Sequence, residues 1–195
     1  MDITRVRTVV LGGGRSQRMG FDKLTAVFDG EPLAHRVARG LTELDPLFVT
    51  TQSVATSIGE CLGATFVVTP PTTGPSATLA LANAAIEPDA YLAVLASDLP
   101  FLDAQRVRAF VARVPDGVDL AWPVVAGTPG HPVLWSPKAR ARIAALGPDE
   151  PPARIRAQAG IQVAELPEDD DAYITDVDTP DAWVRAEARA RRARR

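Results

Sequence analysis

Cysteine is nearly absent from this 195-residue chain, and the one thiol, Cys61, excludes an internal disulfide and a zinc site built from cysteines. It reads as a small buried apolar residue. Long hydrophobic runs are absent too, and no stretch approaches the ~20 apolar residues that a membrane helix needs. The opening MDITRVRTVV has neither the apolar segment nor the small-residue cleavage site of a secretory signal, so the expectation is a cytoplasmic protein with no membrane partner. A net charge of -3 gives no general reason to expect nucleic acid. Only the C-terminus, about 182–195, concentrates arginine. With no nucleic-acid signature around it, VRAEARARRARR reads as a solvated helix end whose cations suit the helix dipole, against the alternative of an anion-binding tail.

What is present is ordinary globular composition, 46% hydrophobic and 23% charged, in a length that suits one domain over 1–195. Short apolar runs alternate with longer amphipathic ones. TVVL (8–11), LFVTT (47–51), ATFVV (64–68), AYLAVLA (90–96) and DLAWPVV (119–125) read as strands buried on both faces. Between and after them EPLAHRVARGLTEL, SATLALANAAI, DAQRVRAFVARV and SPKARARIAALG carry apolar residues three and four apart, as helices do. Strand–helix alternation implies an α/β fold, a doubly wound Rossmann-like, mostly parallel sheet with helices on both faces. Ligands then bind beyond the carboxyl ends of the strands. Residues directly after the apolar runs are therefore the informative ones.

The first run ends in LGGGRSQRMGFDKL. Glycines at a strand-to-helix turn let backbone N–H groups approach an anion, and Arg15, Arg18 and Lys23 add full positive charge. The alternative is a structural turn with surface cations. The spacing fits neither the dinucleotide fingerprint, which needs glycine at Gln17, nor a P-loop, since Lys23 does not follow Gly20. LASDLPF ends the fourth run, and Asp98, held by Pro100 beyond it, reads as a Mg²⁺ ligand, because Mg²⁺ takes one or two carboxylates plus phosphate oxygens. DVDTPDAW offers Asp176 and Asp178, and Asp178 either completes that metal site or starts a turn before a helix. GTPGHPVLW places His131 between glycine and proline in a stiff, exposed loop, as an acceptor-binding residue or as a loop histidine with a backbone partner. The acidic run Pro167–Asp171 reads as a solvated loop.

On these segments the chain resembles the molybdenum cofactor nucleotidyltransferases, a branch of the NTP transferase superfamily with a Rossmann-like fold. LGGGRSQRMGFDKL is similar to the family's L-x-G-G-x-S-x-R-M-G-x-D-K, TGPSATLALA to its G-P-x-A segment, ASDLP to its D-x-P and DVDTPDAW to its closing [ND]-x-[ND]-T-P, in order along nearly the whole chain. The resemblance implies Mg²⁺-dependent transfer of a nucleotidyl group to the phosphate of molybdopterin, with pyrophosphate released. Gly12-Gly13 and Asp22-Lys23 look like the MobA-like guanylyltransferases, which use GTP. Pro129-Gly130-His131-Pro132 looks like the MocA-like cytidylyltransferases, which use CTP, and Thr69 stands where the guanylyl branch often has aspartate. The guanylyl reading is favoured.

Residue by residue, the resemblance implies that Leu11, Gly12, Gly13 and Thr51 edge the base pocket and that Gly12, Gly13, Gly14 and Arg15 hold the triphosphate. Lys23 then serves the α-phosphoryl region, Asp98 and Asp178 the metal, and His131 the acceptor. Implied partners are GTP or CTP, molybdopterin, and molybdoenzymes or cofactor-insertion proteins. Other phosphorylated acceptors, sugar phosphates included, belong to the same chemistry. A non-catalytic nucleotide- or pterin-binding carrier is the alternative from another class, and it predicts binding without pyrophosphate release. A flavin or nicotinamide oxidoreductase is the weakest, given the failed dinucleotide spacing.

Overall fold

The computed structural model describes residues 3–13, 19–59, 64–71, 74–147 and 150–193. Seven strands form one hydrogen-bonded path. They are β1 (Val6–Gly12), β4 (Leu47–Thr50), β5 (Thr65–Val68), β6 (Tyr91–Ala96), β7 (Leu120–Val125), β9 (Val133–Trp135) and β10 (Val163–Glu168), in the order β10-β7-β9-β6-β1-β4-β5. A short β8 (Thr128–Pro129) folds back on β7, and β2 (Val27–Phe28) pairs with β3 (Glu31–Pro32) as a separate hairpin. The pairs β1·β4, β1·β6, β4·β5 and β7·β10 are parallel.

Alternate residues of β1 serve opposite faces, which is why Val9 and Val10 are both fully buried yet belong to different clusters. On the Val10 face pack α1 (Leu33–Leu41), α2 (Gln52–Ile58), α4 (Ala104–Arg113) and α6 (Pro180–Ala193). On the Val9 face pack α3 (Pro75–Ala84) and the short α5 (Pro137–Arg140). Helix α1 buries Leu33, Ala34, Val37, Ala38 and Leu41, one stripe at helical spacing. Asp103 caps α4 by accepting from the Arg106 N–H at 2.9 Å, and Ser136 caps α5 by accepting from the Ala139 N–H at 3.2 Å.

Three sequence expectations need correction. The helix read over 136–147 is only α5 followed by a 3₁₀ turn at Ile143–Ala145. The segment 133–135, to which the sequence assigns no element, is β9, which runs antiparallel to both β6 and β7 in the middle of the sheet. The run 167–171 is exposed at Pro167, Asp169 and Asp171 but is not all loop: Pro167 and Glu168 close the edge strand β10, while Asp170 and Asp171 bind Arg106 and Arg189 at 2.7 Å each. Proline is tolerated in β10 because it is an edge strand.

The topology reverses at β1. The chain runs from β1 through β4 to β5 on one side and returns to place β6 on the other, so the carboxyl ends of β1 and β6 flank the switch-point crevice.

Candidate active site

Gly12 ends β1 beside Thr50 of β4 and Ser97, the residue after β6. Thr50 donates its hydroxyl to the Gly12 carbonyl at 3.1 Å, and the Ser97 N–H donates to the Leu11 carbonyl at 3.2 Å. A Cβ at position 12 would lie 3.0 Å from Thr50 Oγ1 and 3.1 Å from Ser97 Oγ. Glycine lets the three strand ends close together without displacing these side chains. Gly13 is buried immediately beyond, and Leu11 packs partly buried on the Val9-face core. Gly14, Arg15 and Arg18 lie outside the described residues.

One residue after Ser97, Asp98 faces the ammonium of Lys23. Lys23 Nζ donates to Asp98 Oδ2 at 2.5 Å and to Asp178 Oδ1 at 2.5 Å. These three side chains come from the exit of the glycine-rich segment, the end of β6 and the loop before α6. They are held in place from several directions. The Val177 N–H donates to the Asp98 carbonyl at 3.2 Å, and Asp22 folds the Lys23 loop by accepting from the Leu24 N–H at 3.2 Å. Lys23 is one of two lysines among 21 basic residues, and its side chain is only 10% exposed.

Burial alone pulls the Lys23 pKa down. The charge of Asp98 and the hydrogen bonds to both carboxylates outweigh it and hold the ammonium above its ordinary range. The triad is one cation between two anions, and it carries net negative charge. Asp98 Oδ1 is buried with no hydrogen-bond partner. A buried carboxylate oxygen left this way is costly unless a cation or water meets it. Two hard carboxylates, one with a free oxygen, suit Mg²⁺. Among the described residues no cluster of three or more histidine, cysteine or carboxylate side chains forms a metal cage, so further ligands would come from substrate and water.

His131 corrects its expected exposure. The residue is half-buried, with ring Nδ1 3.2 Å from the Val94 carbonyl, and its backbone N–H donates to the Tyr173 carbonyl at 2.9 Å. Burial pushes its pKa down, partly opposed by the Val94 hydrogen bond and by the negative charges of Asp98 and Asp176. Thr51 stands at the N-terminus of α2 with its hydroxyl 3.0 Å from Ser53 Oγ, one residue beyond the threonine that touches Gly12. The sequence reading missed Thr50 and Ser97. Their signal was available, since each is a small hydroxyl residue at the end of an apolar run.

Comparison with known proteins identifies the family and the fold. A family model described as the MobA-like NTP transferase domain matches residues 8–164. None of the curated proteins matches the chain. Among solved structures, the homologue of Mycobacterium tuberculosis Rv0371c from Mycobacterium sp. strain JC1 superposes with a TM-score of 0.81 at 24% identity, over 97% of this chain and 98% of that one. Molybdopterin-guanine dinucleotide biosynthesis protein A from Archaeoglobus fulgidus gives 0.77 at 18% identity, over 95% and 99%. Rv0371c of M. tuberculosis H37Rv in complex with manganese gives 0.73 at 22% identity, over 94% and 98%. No helix among the described residues is long and apolar enough to cross a membrane. The chain belongs to the MobA-like NTP transferase domain family and is a nucleotidyltransferase with that family's α/β fold.

Proposed function

We propose that the protein transfers GMP from GTP to the phosphate of molybdopterin, releasing pyrophosphate, with Mg²⁺ as the metal. The observation that carries this reading is the Lys23 ammonium held at 2.5 Å between Asp98 and Asp178 at the switch point of the sheet, beside the glycine turn of β1. Nucleotidyl transfer needs no protein nucleophile. An acceptor phosphate oxygen forms a bond to the α-phosphorus as the bond from that phosphorus to the β-phosphate bridging oxygen breaks, and the leaving pyrophosphate takes the electron pair.

The protein's part is positioning and charge. Gly12 and Gly13, with Gly14 and Arg15 after them, cradle the triphosphate, and Leu11 edges the base. Thr51 lies beside the base pocket, with Thr50 and Ser97 setting its floor by fixing Gly12. Lys23 supplies a compact positive charge that turns from the carboxylates to the α-phosphoryl oxygens. Asp98 and Asp178 are the residues that would hold Mg²⁺. When bound it neutralises phosphate charge and orients the α-phosphoryl group. The manganese complex of Rv0371c supports a divalent cation in this fold. His131, whose charged form is disfavoured by burial, lines the acceptor side.

The second reading, CMP transfer from CTP, is favoured by Pro129-Gly130-His131-Pro132 and by Thr69 in place of aspartate. Pyrophosphate release from purified protein given molybdopterin, Mg²⁺ and either GTP or CTP separates the two. Release with GTP supports the proposal, and release with CTP alone reassigns the base. Release with neither, while nucleotide still binds, points to another acceptor or to a carrier.

A further inference from the structure

Lys23 lies in the stretch between Phe21 and Phe28, and both of these rings meet the same side chain. Trp183, in the first turn of α6, stands edge-on to Phe21 with centroids 5.8 Å apart and to Phe28 with centroids 5.2 Å apart. These are favoured geometries for aromatic pairs. Phe28 is fully buried in the core on the α1 face, whereas Phe21 is 47% exposed. The core therefore fixes Phe28 without help, but Phe21 finds its aromatic partner in Trp183. Trp183 is itself tied to the Asp178 loop, because its backbone N–H donates to the Thr179 carbonyl at 2.9 Å and the Ala182 N–H donates to Thr179 Oγ1 at 3.2 Å.

We infer that Trp183 is a positioning residue for Lys23: its indole clasps the rings on either side of the lysine and so locks the Lys23 loop to the helix that follows Asp178. Trp183 is not paired with Lys23, and it acts through Phe21. The ammonium reaches two carboxylates on different segments at 2.5 Å only if its loop and the start of α6 keep a fixed separation. The loop's own backbone bonds, Ala26 N–H to Asp22 O at 3.2 Å, Leu33 N–H to Ala26 O at 3.1 Å and Ala34 N–H to Leu24 O at 2.9 Å, stay within the segment, and the Asp29 N–H ties its far end to α6 through Glu187 Oε1 at 3.0 Å; the aromatic clasp supplies the constraint at the lysine's end. A displacement of about 1 Å in such a group can cost up to about a hundredfold in rate.

The inference rests on the nucleotidyl-transfer reading only for its kinetic consequence. The chain has two lysines, Lys23 and Lys138, so amine modification reads the state of Lys23 directly against a half-exposed internal reference. The full-length protein is treated with trinitrobenzenesulfonate and the two lysine peptides are quantified by mass spectrometry. Trp183→Ala is expected to raise the Lys23 to Lys138 labelling ratio about tenfold, and Phe21→Ala to raise it in the same direction. Trp183→Phe, which keeps a ring, restores the ratio to within about twofold of the parent.

With GTP or CTP as substrate, the same Trp183→Ala protein shows a kcat lowered about tenfold with KM nearly unchanged, as expected when an interaction made only in the transition state is misplaced. An unchanged labelling ratio in both alanine variants overturns the inference. Should Trp183→Ala fail to fold, Phe21→Ala, at a half-exposed position, decides alone. Failure of the parent protein to release pyrophosphate counts against the transfer reading, and the labelling ratio still decides the clasp.

Discussion

Lys23 and Asp98 stand 75 positions apart in the chain, and the ammonium of the first lies 2.5 Å from a carboxylate oxygen of the second. Asp178, 155 positions beyond Lys23, closes on the same nitrogen. Replacing Lys23 or Asp98 by alanine removes one preorganised charge from the site and is expected to cost about 3 kcal/mol of transition-state stabilisation, a loss of order a hundredfold in kcat. Steady-state pyrophosphate release checks this, with circular dichroism to show that each variant is folded.

Lys23→Met removes the ammonium that lies between Asp98 and Asp178. Its melting temperature is expected to fall and to recover on adding Mg²⁺ by more than the parent's does, because the parent's ammonium competes for the same oxygens. The pH sign follows from the raised Lys23 pKa. The lysine's contribution is fully present below its unfolded value of 10.5 and is lost as pH rises through the higher folded value. Denaturant melts above pH 10.5 should therefore show a steeper decline for the parent than for Lys23→Met.

Gly130 tests the loop that carries His131. A Cβ there would fall 2.4 Å from the Tyr173 carbonyl oxygen and 2.9 Å from Ile174 Cγ2. Backbone cannot yield as a flexible side chain does, so Gly130→Ala is expected to destabilise the protein by about 1–3 kcal/mol, read as a lowered urea midpoint.

Arg140 is nearly fully buried and finishes α3. Its guanidinium donates to the carbonyls of Glu87 and Ala90 at 2.6 Å each, of Ile86 at 3.0 Å and of Asn83 at 3.1 Å, and to Asn83 Oδ1 at 2.8 Å. Arg140→Met strands several buried acceptors and should cost about 3 kcal/mol or more. Arg140→Lys should not restore stability, since an ammonium cannot span the same fork. Chemical denaturation of the two variants measures both effects.

Tyr173 donates its hydroxyl to the Arg106 carbonyl at 3.0 Å, and burial, with the charges of Glu168 and Asp170, pushes its pKa up to about 12. Absorbance at the tyrosinate band should show one of the two tyrosines ionising near 12 in the folded protein. Because the folded value lies above the unfolded 10.0, its stabilising contribution is complete below pH 10.0 and is lost as pH rises towards 12.

Much of this arrangement was legible in the residues themselves. TVVL, LFVTT and AYLAVLA predict strands because β-branched and apolar residues fill them without a helical period, and the rule for open α/β sheets puts Gly12 and Asp98 at one end of the sheet. DVDTPDAW allows Asp178 two roles, and its contact with Lys23 depends on a separation along the chain that no local pattern encodes. The strands β9 and β10 escaped for different reasons. VLW is too short to show a period, and VAELPE alternates polar and apolar residues around a proline that only an edge position permits. Flanking glycine and proline predict an exposed His131, whereas the antiparallel insertion of β9 draws that loop against Val94 and Tyr173.

Titration calorimetry of GTP and of CTP in the presence of Mg²⁺, on the parent and on Asp98→Ala, addresses the shared site at the ends of β1 and β6. Tight binding of one of the two nucleotides by the parent, weakened at least about tenfold in Asp98→Ala and made insensitive to Mg²⁺ there, is the expected result. Equal, Mg²⁺-dependent affinity in the two folded proteins would show that the carboxylate at position 98 and the glycine turn do not serve a common metal-bound triphosphate.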